Sequence, residues 1–251
     1  MKYSVILLVI LALALCAGCT SQNGGLPPAR PEGETVTISS GDLDYPAYLA
    51  SPGDGQRHPG VVLVHSFRGL EPGYRDMTDR FASEGFVVIA PEWQTYEQSP
   101  RDEVVGALIS DAVIVLKGRD DVDPGRLGLT GFCAGGRYTM LFLPQMEEFR
   151  SGVAWYGFPY SGGFANQTAP ASLVSGLGAP MLIIHGTADT ASPVADIYRY
   201  ATELDSAGKY FELKVYQGEP HGFMIVDGAL SGTPAAQDAF GEMVRFFSRT
   251  L

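Results

Sequence analysis

The chain has 251 residues, of which 45% are hydrophobic and 18% charged, and its formal net charge is −11 at pH 7. This composition indicates a folded globular protein with one large α/β domain or two small ones, and it excludes a disordered chain. Because the balance is acidic, binding of nucleic acid or of an anionic membrane through basic patches is not expected.

Residues 1–18 have the pattern of a signal peptide. Lys2 precedes an apolar run over residues 5–15, and small residues lead to Cys19. The Ala-Gly-Cys ending resembles a lipobox, so we expect lipid on Cys19 and a cell-surface lipoprotein, with plain secretion or an uncleaved anchor as alternatives. The apolar run is shorter than the roughly 20 residues of a transmembrane helix, which disfavours an anchor that spans the membrane.

Residues 19–34 are rich in Gly, Pro, Ser and Asn and predict a flexible tether ahead of one domain over 35–251. If Cys16 leaves with the signal peptide and Cys19 carries lipid, Cys133 is the only thiol of the mature protein. An internal disulfide is then impossible in spite of export. A lone thiol in an exported protein is open to oxidation. Its presence in spite of this risk indicates that the thiol of Cys133 has a function.

Beyond the tether, two early strands are followed by strands that alternate with helices, a pattern that predicts an open, mostly parallel α/β sheet with helices on both faces. Strands are expected near Val36–Ser39, Tyr45–Ala50, Val61–His65, Phe86–Ala90, Leu127–Thr130, Val153–Tyr156, Met181–His185 and Phe211–Tyr216. Helical spacing marks Tyr74–Phe81, Arg101–Lys117, Ser192–Leu204 and Ala236–Phe247. We expect Val104 and Tyr198 to face inward and Ser192 to cap its helix. Residues 158–179 are expected to form a loop near the pocket.

Residues 131–136 read Gly-Phe-Cys-Ala-Gly-Gly, directly after one of these strands. This is the Gly-x-nucleophile-x-Gly elbow of the α/β-hydrolase fold, with Cys133 where serine is usual. The helix that follows aims its N–H groups at the sulfur and so favours the reactive thiolate. Asp189 and His221 follow at strand ends, in the order nucleophile, acid, histidine that is typical of this fold.

These three residues can perform acyl transfer chemistry. His221 would act as the general base, and Asp189 would hold its tautomer, with Glu92 as an alternative carboxylate at another strand end. The backbone N–H groups of Ala134 and Phe67 are the expected oxyanion donors.

A metal site built from His65, His185 and His221 is an alternative to simpler roles for these residues. The spacing of these histidines matches no standard ligand motif, so neither a metal nor another cofactor is predicted, and His65 and His185 are expected to bond loop backbone. Other side chains near strand ends are candidates for the substrate pocket. These are Ser66, Arg68, Trp93, Tyr96 and Tyr156.

Several motifs together resemble the dienelactone hydrolase family over about residues 45–247. The matching segments are Val-Ile-Ala-Pro at 88–91, Asp-Pro-Gly-Arg-Leu-Gly-Leu-Thr-Gly-Phe-Cys-Ala-Gly-Gly at 123–136, Trp-Tyr-Gly at 155–157, His-Gly-Thr-Ala-Asp at 185–189 and Tyr-Gln-Gly-Glu-Pro-His-Gly-Phe at 216–223. The resemblance implies an α/β-hydrolase without a separate lid domain that acts on esters or lactones through Cys133, His221 and Asp189.

Two features depart from the family pattern. Ser66 stands where such enzymes have a glutamate, and the arginines that bind a substrate carboxylate are not evident after Pro91 or His221. A neutral or differently charged ester is therefore expected rather than dienelactone itself, although Arg68 could supply a positive group.

The predicted reaction is hydrolysis of a small-molecule ester or lactone through a thioester acyl-enzyme. An acyltransferase with the same triad, or a catalytically silent binding or scaffold protein, remain alternatives. We expect a monomer that contacts a membrane only through its N-terminal lipid.

Overall fold

The computed structural model describes residues 31–163 and 167–251. The predicted signal peptide, Cys19 and most of the tether lie outside these ranges. Within them, no helix combines the length and apolarity that a membrane span requires.

Eight strands form one sheet in the order β1-β2-β4-β3-β5-β6-β7-β8. Their bounds are β1 Glu34–Ser40, β2 Leu43–Ala50, β3 His58–Val64, β4 Val87–Pro91, β5 Val122–Phe132, β6 Phe149–Trp155, β7 Met181–Gly186 and β8 Phe211–Tyr216. The pairs β1–β2 and β2–β4 are antiparallel, and the other neighbours are parallel. A small hairpin, β9 (Ile225–Val226) and β10 (Ala229–Leu230), follows β8.

Helices cover both faces of the sheet. Their bounds are α1 Pro72–Ser83, α2 Asp102–Lys117, α3 Ala134–Phe142, α4 Val194–Ser206 and α5 Pro234–Thr250. Apolar residues of α1 and α5 share one buried layer, while those of α2, α3 and α4 share the other. This is the α/β-hydrolase architecture that the sequence predicts.

The central strands are apolar on both sides because both of their faces are covered. In β3, Val62 and Val64 join the layer with α2, whereas Val61 and Leu63 join the layer with α1. Successive side chains of a strand point to opposite faces, so a continuous apolar run fills both layers.

Two inward-facing assignments are wrong, because Val104 and Tyr198 are exposed. Each lies one position away from a buried row with the i, i+3, i+4, i+7 spacing of a helix face. In α4 this row begins at Ile197 and includes Tyr200. Ser192 does not cap α4 either: Pro193 is the capping residue, and the Ser192 hydroxyl donates to the Gly157 carbonyl over 2.7 Å.

In its described residues, 156–163 and 167–180, the segment after β6 is irregular, as predicted, except for a 3-10 helix at Pro170–Gly176. Buried Arg137 of α3 holds it in place. The guanidinium donates to the Ser161 and Thr168 carbonyls over 2.8 Å each and makes two 2.8 Å hydrogen bonds to the carboxylate of Asp102. A fully paired, buried arginine therefore fixes this segment against the elbow helix.

The strand order predicts where on the sheet a ligand would bind. The chain passes from β3 to β4 on one side and then returns to β5 on the other. In open α/β sheets, ligands bind outside the carboxyl ends of the strands at such a reversal. Cys133 follows β5 at this point.

Candidate active site

Cys133 occupies a strained turn between β5 and α3. Its φ of 59° and ψ of −113° are unusual for a residue with a side chain, and its N–H donates to the Trp155 carbonyl over 3.1 Å. A Cβ on Gly131 would overlap the Gly135 carbonyl, and a Cβ on Gly135 would overlap the Val64 carbonyl. The elbow glycines are therefore required by the close approach of backbone segments.

Asp189 lies in the turn after β7 with its side chain fully buried. Oδ1 accepts hydrogen bonds from the N–H groups of Ala191 and Ser192 over 2.9 and 2.8 Å, and Oδ2 accepts one from His221 Nδ1 over 2.7 Å. Burial alone raises the pKa of Asp189, but the hydrogen bonds from His221 and Ser192 outweigh it and lower the pKa. The carboxylate is therefore ionised at neutral pH.

His221 follows β8, and the rings of Tyr156 and Phe158 pack against it at 5.1 and 5.4 Å between centroids. Burial lowers the pKa of His221, but the hydrogen bond to Asp189 and the interactions with Cys133 raise it to about 9. Nε2 is buried and makes no hydrogen bond to the described residues. The ring is thus held at one nitrogen, and the other stays available at the pocket that Cys133 also lines.

This pocket has a volume of about 150 Å³. Of the five residues proposed for it, Ser66, Arg68 and Tyr156 line it. Burial raises the pKa of Tyr156 above its ordinary value, so the phenol is neutral. The complete lining is Ser66, Arg68, Glu71, Tyr74, Cys133, Tyr156, His221, Gly222 and Ile225.

Trp93 and Tyr96 do not line this pocket. The Trp93 indole is buried against the His65 ring at 5.2 Å between centroids and donates to the His65 carbonyl over 3.2 Å. Tyr96 is exposed, and its hydroxyl donates to the Asp44 carbonyl over 2.7 Å. The chain turns after Pro91, and this turn places the Trp93 ring against His65 at the end of β3 and the Tyr96 ring beside Asp44 of β2.

The two expected oxyanion donors lie directly after the nucleophile and in the loop that follows β3. Ala134 is the first residue of α3, and Phe67 lies in the loop after β3. The Phe67 carbonyl accepts hydrogen bonds from Gln94 and Gln98 over 3.1 Å each, which anchors the loop. Their oxyanion role stays a prediction.

His65 and His185 bond loop backbone, as predicted. His65 donates to the Ser66 carbonyl and His185 to the Ser192 carbonyl, each over 2.8 Å. Burial lowers the pKa of both and brings that of His65 to about 4, so both rings are neutral. In the described ranges, no three His, Cys, Asp or Glu side chains cluster in a way that could hold a metal ion.

A sequence model of the dienelactone hydrolase family matches residues 45–251. The chain belongs to the dienelactone hydrolase family. It is a hydrolase by this membership, as the combined motifs of the sequence predict.

Similar proteins agree with this family assignment. The chain is 34% identical over 206 residues to the "Putative carboxymethylenebutenolidase" of Methylorubrum extorquens, covering 75% of this chain and 71% of that protein. A protein of the same name from Salmonella typhimurium is 30% identical over 236 residues, covering 86% and 87%. The crystal structure of a "Putative Dienelactone Hydrolase" from Klebsiella pneumoniae superposes with a TM-score of 0.79 at 26% identity, covering 86% of this chain and 98% of that one.

Sequence reasoning missed some pocket residues of this dienelactone hydrolase family member. The helical spacing of Tyr74 predicts only a packing role on α1, where its ring lies 5.4 Å from that of Phe132 between centroids, yet Tyr74 also lines the pocket. Glu71 and Ile225 were not singled out. The position of Glu71 at the start of α1, a few residues after the β3 loop, is the one local signal that could have suggested it.

Proposed function

We propose that this protein hydrolyses small esters or lactones through Cys133 as nucleophile, His221 as general base and Asp189 as its partner. The observation that carries the proposal is the arrangement of His221. Its Nδ1 is bonded to a buried carboxylate over 2.7 Å, while Nε2 is unpaired among the described residues and His221 shares a pocket with the elbow cysteine. Membership of a hydrolase family supports the same reaction class.

The reaction begins with a proton on the imidazole and a negative charge on the sulfur. The raised pKa of His221 favours the protonated imidazole at neutral pH, and in the proposed mechanism the proton it takes up is that of Cys133. The thiolate adds to the carbonyl, and the N–H groups of Ala134 and Phe67 stabilise the oxyanion. His221 then protonates the leaving alkoxide, which leaves a thioester on Cys133.

Water completes the cycle. Neutral His221 accepts a proton from a water molecule, the hydroxide attacks the thioester carbonyl, and the acid leaves as the sulfur recovers its charge. The pocket is small, with a volume of about 150 Å³, which favours a small group beside Cys133 and His221. A short acyl group or a small lactone is therefore the substrate class that we propose.

The purified protein should be assayed with p-nitrophenyl acetate and butyrate and with a small lactone. The Cys133→Ala and His221→Ala variants should lose at least about a hundredfold in kcat/KM, since each removes a chemical participant. A Cys133-linked thioester should appear in the intact mass of quenched His221→Ala protein. Equal rates in wild type and both variants would refute the mechanism.

Two rivals share this site. Acyl transfer to an alcohol or amine uses the same thioester, and product analysis with mixed acceptors separates it from hydrolysis. A silent binding protein is favoured by Ser66 in place of the family glutamate, and complete absence of turnover with intact folding would support it.

We also propose that the protein is exported and anchored by lipid at Cys19. The signal pattern of residues 1–18 supports this location. In cells grown with labelled palmitate, the Cys19→Ser variant of the protein should carry no label, whereas the Cys16→Ser variant should still be labelled. Labelling that depends on neither cysteine would exclude the lipid anchor.

A further inference from the structure

Glu71 places a carboxylate in the wall of the catalytic pocket. It precedes Pro72 at the start of α1, and its side chain is only 15% exposed. Its partner is Arg68, whose Nε lies 3.3 Å from Glu71 Oε1 and whose side chain is 74% exposed. Both residues line the pocket that contains Cys133 and His221.

The β9–β10 hairpin covers this carboxylate from the other side. The N–H of Gly73 donates to the Gly228 carbonyl over 2.8 Å, which holds the hairpin turn on the start of α1. A Cβ on Gly228 would lie 3.6 Å from Glu71 Oε1, and Ile225 of the hairpin is part of the pocket wall. Glu71 is therefore enclosed between α1 and the hairpin.

The two charges of this pair act unequally inside the pocket. Water screens the guanidinium of Arg68, because most of that side chain is in solvent, whereas the carboxylate of Glu71 is largely shielded from water. Screening weakens the positive end more than the negative end. A negatively charged substrate group close to the pair is consequently repelled, even though the pair is neutral as a whole.

We propose that Glu71 makes this pocket select against substrates with an anionic acyl group, so that the enzyme takes short uncharged or positively charged esters and lactones. The inference rests on the proposed function. The imidazolium of His221 and the thiolate of Cys133 in the proposed mechanism also belong to this pocket, so the contribution of Glu71 is isolated by comparing variants that all retain both residues.

The first test uses matched p-nitrophenyl esters. Butyrate is neutral, the succinate monoester carries a carboxylate, and the 4-aminobutyrate ester carries an ammonium group. In wild type, kcat/KM for the succinate should be at least about tenfold below that for the butyrate. Glu71→Gln should raise the succinate-to-butyrate ratio of kcat/KM at least about fivefold, because it removes one shielded negative charge, and Arg68→Gln should lower that ratio.

A matched control is the exposed pair Arg101–Glu103, whose side chains are 69% and 71% exposed. Glu103→Gln removes the same charge from another Arg–Glu pair and should leave the succinate-to-butyrate ratio unchanged. A wild type that prefers the succinate, or a ratio unaffected by Glu71→Gln, would overturn the proposal. Preference for the succinate that is lost in Arg68→Gln would instead identify Arg68 as a carboxylate anchor.

The second test does not require turnover. The rates of alkylation of Cys133 by neutral iodoacetamide and anionic iodoacetate are followed by mass spectrometry of the Cys133 peptide, with free cysteine as reference. Glu71→Gln should shift the ratio toward iodoacetate at least about threefold, while Glu103→Gln should not. If the alkylation ratio shifts in Glu71→Gln but the protein hydrolyses no ester, only the proposed function is contradicted. If the protein hydrolyses esters but the alkylation ratio does not shift, only the charge selection is contradicted.

Discussion

His221 donates a hydrogen bond from Nδ1 to Oδ2 of Asp189 over 2.7 Å, and the carboxylate that accepts it is fully buried. The other oxygen of the carboxylate is held by two backbone N–H groups in the turn before α4. The imidazole is thus oriented by a group that is itself fixed by the backbone, so its tautomer depends on a carboxylate rather than on solvent.

Replacement of Asp189 by Asn should therefore lower kcat by about a hundredfold or more, because an amide can donate to Nδ1 and favour the wrong tautomer. The KM for a p-nitrophenyl ester should change much less than kcat. Asp120→Asn, at an exposed position, is the control and should keep wild-type kinetics. A kcat within threefold of wild type in Asp189→Asn would contradict the orienting role.

The raised pKa of His221 predicts a loss of stability at alkaline pH. The folded-state pKa of about 9 exceeds the ordinary value of 6.5, so charged His221 stabilises the folded state below pH 6.5, and this contribution is lost as pH rises through 9. Its upper limit is about 3 kcal/mol. The difference in unfolding free energy between wild type and His221→Gln, from urea denaturation, should shrink between pH 6.5 and 9.5. A difference that is constant over this range would be inconsistent with the shift.

Gly135→Ala should prevent the elbow from forming. A Cβ at this position would overlap the Val64 carbonyl, so the change should cost about 3 kcal/mol or more and abolish activity. Gly178→Ala is the control, since a Cβ there meets no atom within 4 Å. Thermal unfolding would reveal the difference, and similar melting temperatures for both variants would show that the backbone contact is not tight.

Arg137→Ala should destabilise the fold by about 3–5 kcal/mol, because it leaves the buried Asp102 carboxylate without its cation. The double variant Arg137→Ala/Asp102→Ala should recover part of this loss, which a double-mutant cycle in urea measures. Cleavage between residues 158 and 169 by a protease should be faster in the single variant, since Arg137 also holds the carbonyls of Ser161 and Thr168. Additive losses would argue against a coupled pair.

Local signals in the sequence determined most of the framework. Apolar runs such as Val61–Val64 predict strands that are buried on both faces, and the structure confirms this prediction. The prediction succeeds because the burial of such a strand depends on the polarity of consecutive residues. The elbow is equally local, since the glycines at 131 and 135 are needed within a few residues of Cys133. The acid and histidine could be proposed from chain order, because parallel strands end at one edge.

The tertiary structure alone decided which side chains meet at that edge. Trp93 and Tyr96 follow the same strand, yet one is buried under His65 and the other crosses β2. Glu71 becomes a pocket residue because a hairpin about 155 residues later in the chain covers α1. Such placements depend on contacts between segments that are distant along the chain, and neither periodicity nor a short motif records which distant surface a loop side chain will contact.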